Sequence, residues 1–222
     1  MIENLDVQKY FDENAQKASF AELSKNKTTG APLVESLLNA YSYEEHVLQL
    51  FSKNALKMVD ALYVQNDTIW LIEFKGGFNF KIPLNGFDMS KWYCPDATKI
   101  CDAGKYFKEN QHFRMAELID SICGKMLETH ATFFRLILPK CCCCDKKYYV
   151  KYVAVVDASS DPIEQITDIQ CAMAGTTCST PSPMSRLKDA LKKYDRLDSY
   201  GKPLFFDQIS VWSIEEFNAR MK

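Results

Sequence analysis

Two acidic side chains and a lysine, Asp60, Glu73 and Lys75, lie within two short apolar segments of the sequence. The segments are KMVDALYV, which ends at Val64, and TIWLIEFK, which begins at Thr68. Ionisable groups gathered in such surroundings are costly to desolvate unless something compensates their charge. Carboxylate oxygens suit Mg²⁺ or Mn²⁺, ions that keep part of their water shell and accept phosphate oxygens. The residue types therefore favour phosphodiester hydrolysis at a bound divalent metal.

The elements that position these groups are the two strands of a predicted β-hairpin. A tight turn at Asn66-Asp67 pairs Gln65 with Thr68. The same register places Asp60 opposite Glu73. Directly opposed side chains in an antiparallel pair have Cβ atoms about 4.5–5.5 Å apart, so like charges there are destabilising without a cation between them. We expect Asp60 and Glu73 to bind the metal, and a structural ion-pair cluster is the alternative.

Lys75 lies on the carboxylate face of its strand, about 7 Å beyond Glu73. We expect Lys75 to orient or activate the attacking water and to stabilise charge on the phosphoryl oxygens. The other strand residues are apolar on both faces, which is typical of interior strands. The carboxylate face carries Met58, Leu62, Val64, Ile69 and Leu71, and the opposite face carries Val59, Ala61, Tyr63, Trp70, Ile72 and Phe74.

This hairpin resembles the signature of the PD-(D/E)xK nuclease superfamily, an acid on one strand followed by E-x-K on the next. The match is Asp60 followed by Glu73-Phe74-Lys75 in MVDALYVQNDTIWLIEFKGG, with Val59 where the name-giving proline would stand. It covers roughly residues 32 to 156. The resemblance implies an α/β, restriction-endonuclease-like fold with a mixed central β-sheet flanked by α-helices. It also implies Mg²⁺-dependent phosphodiester hydrolysis and a further glutamate on the preceding helix.

The preceding helix is predicted over Pro32 to about Phe51, and Ser42 is a possible point of restart. We assign the helix glutamate to Glu44, which falls in the middle of an apolar stripe on a helical wheel. That stripe comprises Leu37, Leu48 and Phe51. Glu45 is the competitor, but Ser42 and Glu45 also form a capping-box pattern that explains Glu45 without catalysis.

A long helix is predicted from about Gln111 to Leu138, where Pro139 ends it; a helix followed by a strand over Thr132 to Leu138 is the alternative. Arg114, Ser121 and Lys125 form a polar stripe on this helix. In the superfamily the helix often points a basic side chain at the phosphates, so Arg114 and Lys125 are candidates. A solvated face is the other interpretation. Residues 78 to 110 are predicted to form an irregular, functional loop.

We divide the chain into a peripheral helical segment (1–30), a nuclease-like core (31–160) and a helix-strand-helix extension packed on the same domain (161–222). The core ends with a buried strand over Tyr148 to Val156. The extension contains a helix over Met184 to Leu197, a strand over Leu204 to Trp212, and a last helix begun by a capping box of Ser213 and Glu216. The order helix, hairpin, helix, strand favours an α/β sandwich around a mixed sheet.

The composition limits the partners of the chain. Its formal net charge of -2 excludes an overall basic field, although one cleft needs only a local patch and a bound cation to accept phosphates. The N-terminal residues do not resemble a signal peptide, and no stretch reaches the length of a membrane span. We expect a cytoplasmic protein that binds nucleic acid, DNA rather than RNA, and no membrane. A homodimer is left open.

Nine cysteines, four of them consecutive at Cys141 to Cys144, are expected to be reduced thiols. A metal at these thiols would need a second C-x-x-C, which the sequence lacks. His46, His112 and His130 form no metal motif and are expected at the surface or in packing. The predicted function is a metal-dependent nuclease. Its alternatives are a catalytically inactive nuclease-fold protein that binds nucleic acid or protein, and a thiol-rich metal or redox protein.

Overall fold

The computed structural model describes residues 6–27, 29–51, 57–76, 102–141, 148–157 and 183–222. The strands in these ranges are β1 (Lys17–Ser19), β2 (Asn39–Ser42), β3 (Ala61–Gln65), β4 (Thr68–Lys75), β5 (Tyr149–Val156) and β6 (Gln208–Ser213). The α-helices are α1 (Val7–Asn14), α2 (Phe20–Leu23), α3 (Tyr43–Leu50), α4 (Asp102–Thr132), α5 (Pro183–Lys192) and α6 (Ile214–Arg220). A π-helical turn (Phe133–Ile137) and a 3-10 turn (Leu138–Cys141) continue α4.

The strands form one six-stranded sheet in the order β1-β2-β3-β4-β5-β6. Pairing is antiparallel from β1 to β4, whereas β5 and β6 run parallel to β4. The sheet is therefore mixed, and helices flank it. Because β4, β5 and β6 run in the same direction, their carboxyl ends meet at one edge of the sheet.

Each face of the hairpin packs against its own apolar cluster. On the carboxylate face, Leu71 and Tyr152 of the sheet pack with Ile122 and Met126 of α4. On the opposite face, Phe20 and Phe74 surround Phe217 of α6, with ring centroids 5.1 and 5.4 Å from that ring. The predicted division of the two strands between faces is confirmed for all the apolar residues except Val59, which packs in the α4 cluster before β3 begins.

The predicted helix over residues 32–51 is wrong in its first half. Residues 39–42 form β2, which pairs with β1 and β3, and only Tyr43–Leu50 is helical. Leu37, a member of the supposed apolar stripe, is 80% exposed. The backbone of this stretch bonds to distant partners instead: Phe20 N–H donates to the Leu38 carbonyl and Ala21 N–H to the Ser36 carbonyl. Long-range pairing outweighs the local periodicity here.

The N-terminal segment is not purely helical, since it supplies the edge strand β1, and it is not wholly peripheral, since the ring of Phe20 is buried. The long helix after the hairpin is confirmed, and the alternative strand over Thr132 to Leu138 is wrong, because that stretch continues the helix in π-helical form. Helix α4 begins at Asp102, so residues 102–110 do not belong to an irregular loop. The rest of that predicted loop lies outside the described residues.

The C-terminal elements follow the prediction with shorter bounds. Helix α5 ends at Lys192 and β6 begins at Gln208. The capping box is confirmed, because the Ser213 hydroxyl accepts from Glu216 N–H and the Glu216 carboxylate accepts from Ser213 N–H. Within the described ranges, no helix combines the length and the apolar character needed to cross a membrane.

Candidate metal centre

The turn between β3 and β4 sets the register of the site. Gln65 pairs with Thr68, and Ala61 pairs with Ile72, as the sequence predicted. Asn66 adopts a positive φ of 54°, a conformation that Asn tolerates better than most residues in a tight turn. Continuing this register by one residue sets Asp60, just before β3, against Glu73 near the end of β4.

The backbone around Asp60 is held by three different elements. The side-chain oxygen Oδ2 of Asp60 accepts a hydrogen bond of 2.7 Å from the N–H of Phe74. The Asp60 carbonyl accepts another, of 3.1 Å, from the N–H of Tyr43. The preceding residue, Val59, donates its N–H to Thr129 Oγ1 of α4 at 3.1 Å. These bonds join α3, β4 and α4 at one point, so that the Asp60 carboxylate is fixed beside β4.

Glu73 is fully buried, and a lysine from α4 approaches it. Lys125 Nζ lies 2.8 Å from Glu73 Oε2 and 3.5 Å from Asp60 Oδ1. The other oxygen of Glu73, Oε1, is buried and has no hydrogen-bond partner among the described residues. The solvated-face interpretation of Lys125 is therefore wrong, because its side chain is only 15% exposed.

Electrostatics at this cluster reflect burial and mutual repulsion. The pKa of Glu73 is raised well above its ordinary value by burial and by the neighbouring Asp60, which outweigh the opposing effect of Lys125. Burial also raises the pKa of Asp60. Burial alone would lower the pKa of Lys125, but the charges of Glu73 and Asp60 outweigh it and raise that pKa. The two carboxyl groups thus attract either a shared proton or a further cation.

The cluster opens into a cleft of about 1000 Å³ at the carboxyl end of β4. Lys75 and Glu44 line this cleft together with Asp60, Glu73 and Lys125, so the structure brings all four residues of the predicted catalytic site to one place. Part of one wall is the turn that carries Lys25 and Lys27. A closed core would exclude ions, whereas this cleft provides access for solvent.

The assignment of Glu44 rested on a stripe that does not exist, since α3 buries Tyr43, His46 and Val47 rather than Leu48. Glu44 nevertheless lies on the cleft, and its charge acts on both Asp60 and Lys125. Ser42 makes no capping hydrogen bond with its side chain, so the predicted capping box with Glu45 is wrong. Glu45 also lines the cleft but is exposed.

Sequence reasoning missed four charged residues of the cleft: Asp157, Glu22, Lys25 and Lys27. Asp157 follows β5 directly, and its N–H donates to the Lys75 carbonyl at 3.3 Å. An acid immediately after a buried strand parallel to the E-x-K strand was a usable signal for Asp157. Glu22 and the two lysines precede the expected core and carried no such signal. The side chain of Arg114 lies outside the described residues.

The other ionisable candidates that the structure describes pack against, or form hydrogen bonds with, neighbouring residues of the fold. His46 is buried; its Nε2 lies 3.2 Å from the Tyr10 hydroxyl, and its Nδ1 lies 3.0 Å from the Asn14 carbonyl. His130 packs among the rings of Phe134, Phe205 and Phe206. Cys141 is buried and donates to the Ile137 carbonyl. The side chain of His112 and the residues Cys142 to Cys144 lie outside what the structure describes.

The carboxylate oxygens of Asp60 and Glu73 suit a hard divalent ion that takes few of its ligands from the protein. Within the described ranges, no group of three or more His, Cys, Asp and Glu side chains is arranged to hold a metal. Mg²⁺, however, is usually bound through one or two carboxylates plus substrate phosphates. The carboxyl groups of Asp60 and Glu73, which share the Lys125 ammonium, match that smaller requirement. The Glu73 oxygen Oε1, which has no hydrogen-bond partner among the described residues, is a further possible ligand atom.

No protein-family model, no curated protein and no solved structure matched this chain. The resemblance to PD-(D/E)xK nucleases therefore remains a prediction from the residues of the hairpin.

Proposed function

We propose that this protein is a metal-dependent nuclease of restriction-endonuclease-like fold that hydrolyses phosphodiester bonds of nucleic acid, DNA rather than RNA. Asp60 and Glu73 bind Mg²⁺ or Mn²⁺, and Lys75 acts at the attacking water. The observation that carries the proposal is the pair of facing carboxyl groups at the inner end of an open cleft, with a buried Glu73 oxygen that has no donor among the described residues.

The order of elements supports the proposed fold. A helix with Glu44 in its first turn precedes the hairpin of β3 and β4, and the long helix α4 leads to β5, which is parallel to β4. The sequence pattern predicts this succession of helix, hairpin, helix and strand, and the resemblance at the hairpin implies a glutamate on the first helix.

The charge of the cleft supports a metal. Its described lining contains six carboxylates, Glu22, Glu44, Glu45, Asp60, Glu73 and Asp157, against four lysines, Lys25, Lys27, Lys75 and Lys125. Such a surface repels a phosphodiester, because like charges in a partly desolvated cleft interact strongly. A bound divalent cation reverses that balance next to the reacting group.

Each side chain has a separate role in this proposal. The metal, when bound, supplies Lewis acidity toward a phosphoryl oxygen and lowers the pKa of water. Asp60 and Glu73 hold it beside the substrate. Lys75, two residues beyond Glu73 on the same strand, orients the attacking water by hydrogen bonding and stabilises negative charge on the phosphoryl group. Glu44 completes the acidic shell at the start of α3.

The test is cleavage of supercoiled plasmid, single-stranded DNA and RNA with Mg²⁺ or Mn²⁺, by the wild-type chain and by Lys75→Ala. We expect metal-dependent nicking by the wild type and a loss of about 10²–10³-fold in Lys75→Ala, the range for removing one transition-state donor. Lys202→Ala is the matched control, because Lys202 is exposed and lies outside the cleft. Wild-type protein that cleaves none of the three substrates would contradict the proposal.

One observation favours a second candidate, a catalytically inactive nuclease-fold protein that binds nucleic acid or protein. Lys125 already provides a cation to both carboxylates, as in a structural ion-pair cluster. Under this alternative, Lys75→Ala leaves binding of the partner unchanged and there is no metal-dependent cleavage to lose. Binding of labelled DNA in the presence of EDTA, compared between wild type and Lys75→Ala, separates the two.

A further inference from the structure

The ammonium group of Lys125 lies where two facing carboxyl groups would attract a bound cation. It lies 3.5 Å from Asp60 Oδ1 and 2.8 Å from Glu73 Oε2, and the three side chains are at most 19% exposed. Lys125 comes from α4, one helical turn before Thr129, which fixes the backbone next to Asp60. The packing of α4 therefore brings the ammonium to both carboxylates.

This compensation is incomplete. Among the described residues, Lys125 is the one cation in contact with the two carboxylates, and Lys75 adds only a weaker attraction to Glu73. Glu73 Oε1 has no hydrogen-bond partner among those residues. A surplus negative charge in a buried site is costly. A divalent ion carries the charge that two carboxylates need, but it would repel the ammonium at the same oxygens. The two cations therefore compete for Asp60 and Glu73.

Resting on the proposed function, we propose that Lys125 is a built-in competitor of the divalent metal. Its ammonium stabilises the metal-free site and leaves the two carboxylates when the metal binds. The flexible four-carbon stem of a lysine permits such a movement. Because Lys125 lines the cleft, the released ammonium remains beside the substrate and can contact a phosphate oxygen.

The competition has a measurable consequence for metal affinity. When a protein is competent to bind for only part of the time, its apparent Kd rises by the reciprocal of that fraction. If the ammonium holds the carboxylates for about nine-tenths of the time, removing it tightens metal binding about tenfold.

The experiment is calorimetric titration of Mn²⁺ into Lys125→Met and the wild type, at fixed ionic strength and without substrate. Lys75→Met is the matched control, since it removes a positive charge from the same cleft. The Lys75 ammonium of the wild type also acts on Glu73. We expect the Kd for Mn²⁺ to fall about tenfold in Lys125→Met, by the argument from occupancy. We expect a smaller fall in Lys75→Met, because that variant loses charge but no contact with either carboxylate.

A second measurement guards against poor folding of the variant. Metal-free Lys125→Met should melt below the wild type, and saturating Mn²⁺ should raise its Tm by more than that of the wild type, because ligand binding to the folded state stabilises it. Lys125→Gln keeps a donor for Glu73 without the charge, and it serves in the same titration if Lys125→Met is insoluble.

The outcomes separate this inference from the proposed nuclease. Binding of Mn²⁺ to Lys125→Met that is no tighter than to Lys75→Met would overturn the competitor role, whether or not the wild type cleaves nucleic acid. Tighter binding in a protein that cleaves nothing would support the competitor role and contradict the nuclease. Failure of the wild type and both variants to bind Mn²⁺ would contradict both.

Discussion

Lys125 Nζ lies 2.8 Å from one oxygen of Glu73, while the other oxygen of the same carboxyl group has no hydrogen-bond partner among the described residues. Asp60 faces this group from the neighbouring strand and shares the same ammonium at 3.5 Å. Among the described residues, these two buried carboxyl groups contact a single cation, so they favour a shared proton or a second cation. The identity of that partner decides between a metal centre and a structural cluster.

The pH dependence of the protein's stability should reveal the electrostatic repulsion between Asp60 and Glu73. Both folded-state pKa values are raised, chiefly by burial, so the stability these groups contribute is present at low pH and is lost as the pH rises through their folded pKa values. Glu73→Gln removes one of the two charges and can donate to Asp60. In EDTA, we expect the Tm of this variant to exceed that of the wild type by a margin that widens from pH 4.5 upward.

The control for this prediction is Mn²⁺, which should stabilise the wild type at neutral pH but not Glu73→Gln. A difference in Tm that stays constant across the pH range would show that the carboxyl groups titrate normally, and it would remove the electrostatic reason for a metal at this site.

Removing Lys125 should expose the repulsion between the acids. Breaking a buried ion pair by deleting one partner typically costs about 3–5 kcal/mol. We expect Lys125→Met to lose stability on that scale in EDTA, and the double variant Lys125→Met/Glu73→Gln to recover most of it, because it buries a single carboxylate. Urea denaturation of the four proteins forms a double-mutant cycle. Additive effects would mean that Lys125 and Glu73 do not interact.

The two acids at the start of α3 provide a matched pair. Glu44 is partly buried and its charge acts on Asp60 and Lys125, whereas Glu45 is exposed on the same cleft. We expect Glu44→Gln to weaken Mn²⁺ binding about three- to tenfold, as about 1 kcal/mol of lost attraction implies. Glu45→Gln should change it less. Equal effects of the two substitutions would show that only the overall charge of the cleft matters.

The capping box at the start of α6 tests the fold apart from the site. Ser213→Ala removes the hydroxyl that accepts from Glu216 N–H. Loss of an N-cap of this kind costs about 1 kcal/mol, because a backbone donor loses its partner. We expect urea denaturation to give that decrease and Mn²⁺ affinity to stay unchanged. A coupled loss of metal binding would indicate that α6 supports the cleft.

The sequence predicted the parts of the site that local rules control. The register of Asp60 and Glu73 follows from a two-residue turn, and the turn residues themselves favour it. The capping box of Ser213 follows from residues three positions apart. In each case the residues that decide the geometry are near neighbours along the chain.

The rest depends on contacts that no local pattern encodes. Strand β2 is four residues long and exists because β1 and β3 flank it, so helical periodicity over residues 32–51 was misleading. Lys125 was a candidate for phosphate contact or for a solvated face, but its partner Glu73 is 52 residues away, and only the packing of α4 joins them. The position of Glu44 on the cleft likewise depends on the hydrogen bond from the Tyr43 N–H to the Asp60 carbonyl.

A crystal soaked in Mn²⁺ would show directly whether Asp60 and Glu73 bind a metal. We expect an anomalous peak between the hairpin strands, about 2 Å from carboxylate oxygens of both Asp60 and Glu73, the distance at which divalent ions of this kind bind oxygen. We also expect the Lys125 ammonium to have moved away from Glu73. Clear density for the side chains with no anomalous peak, and with Lys125 still between the two acids, would contradict a metal centre at this site.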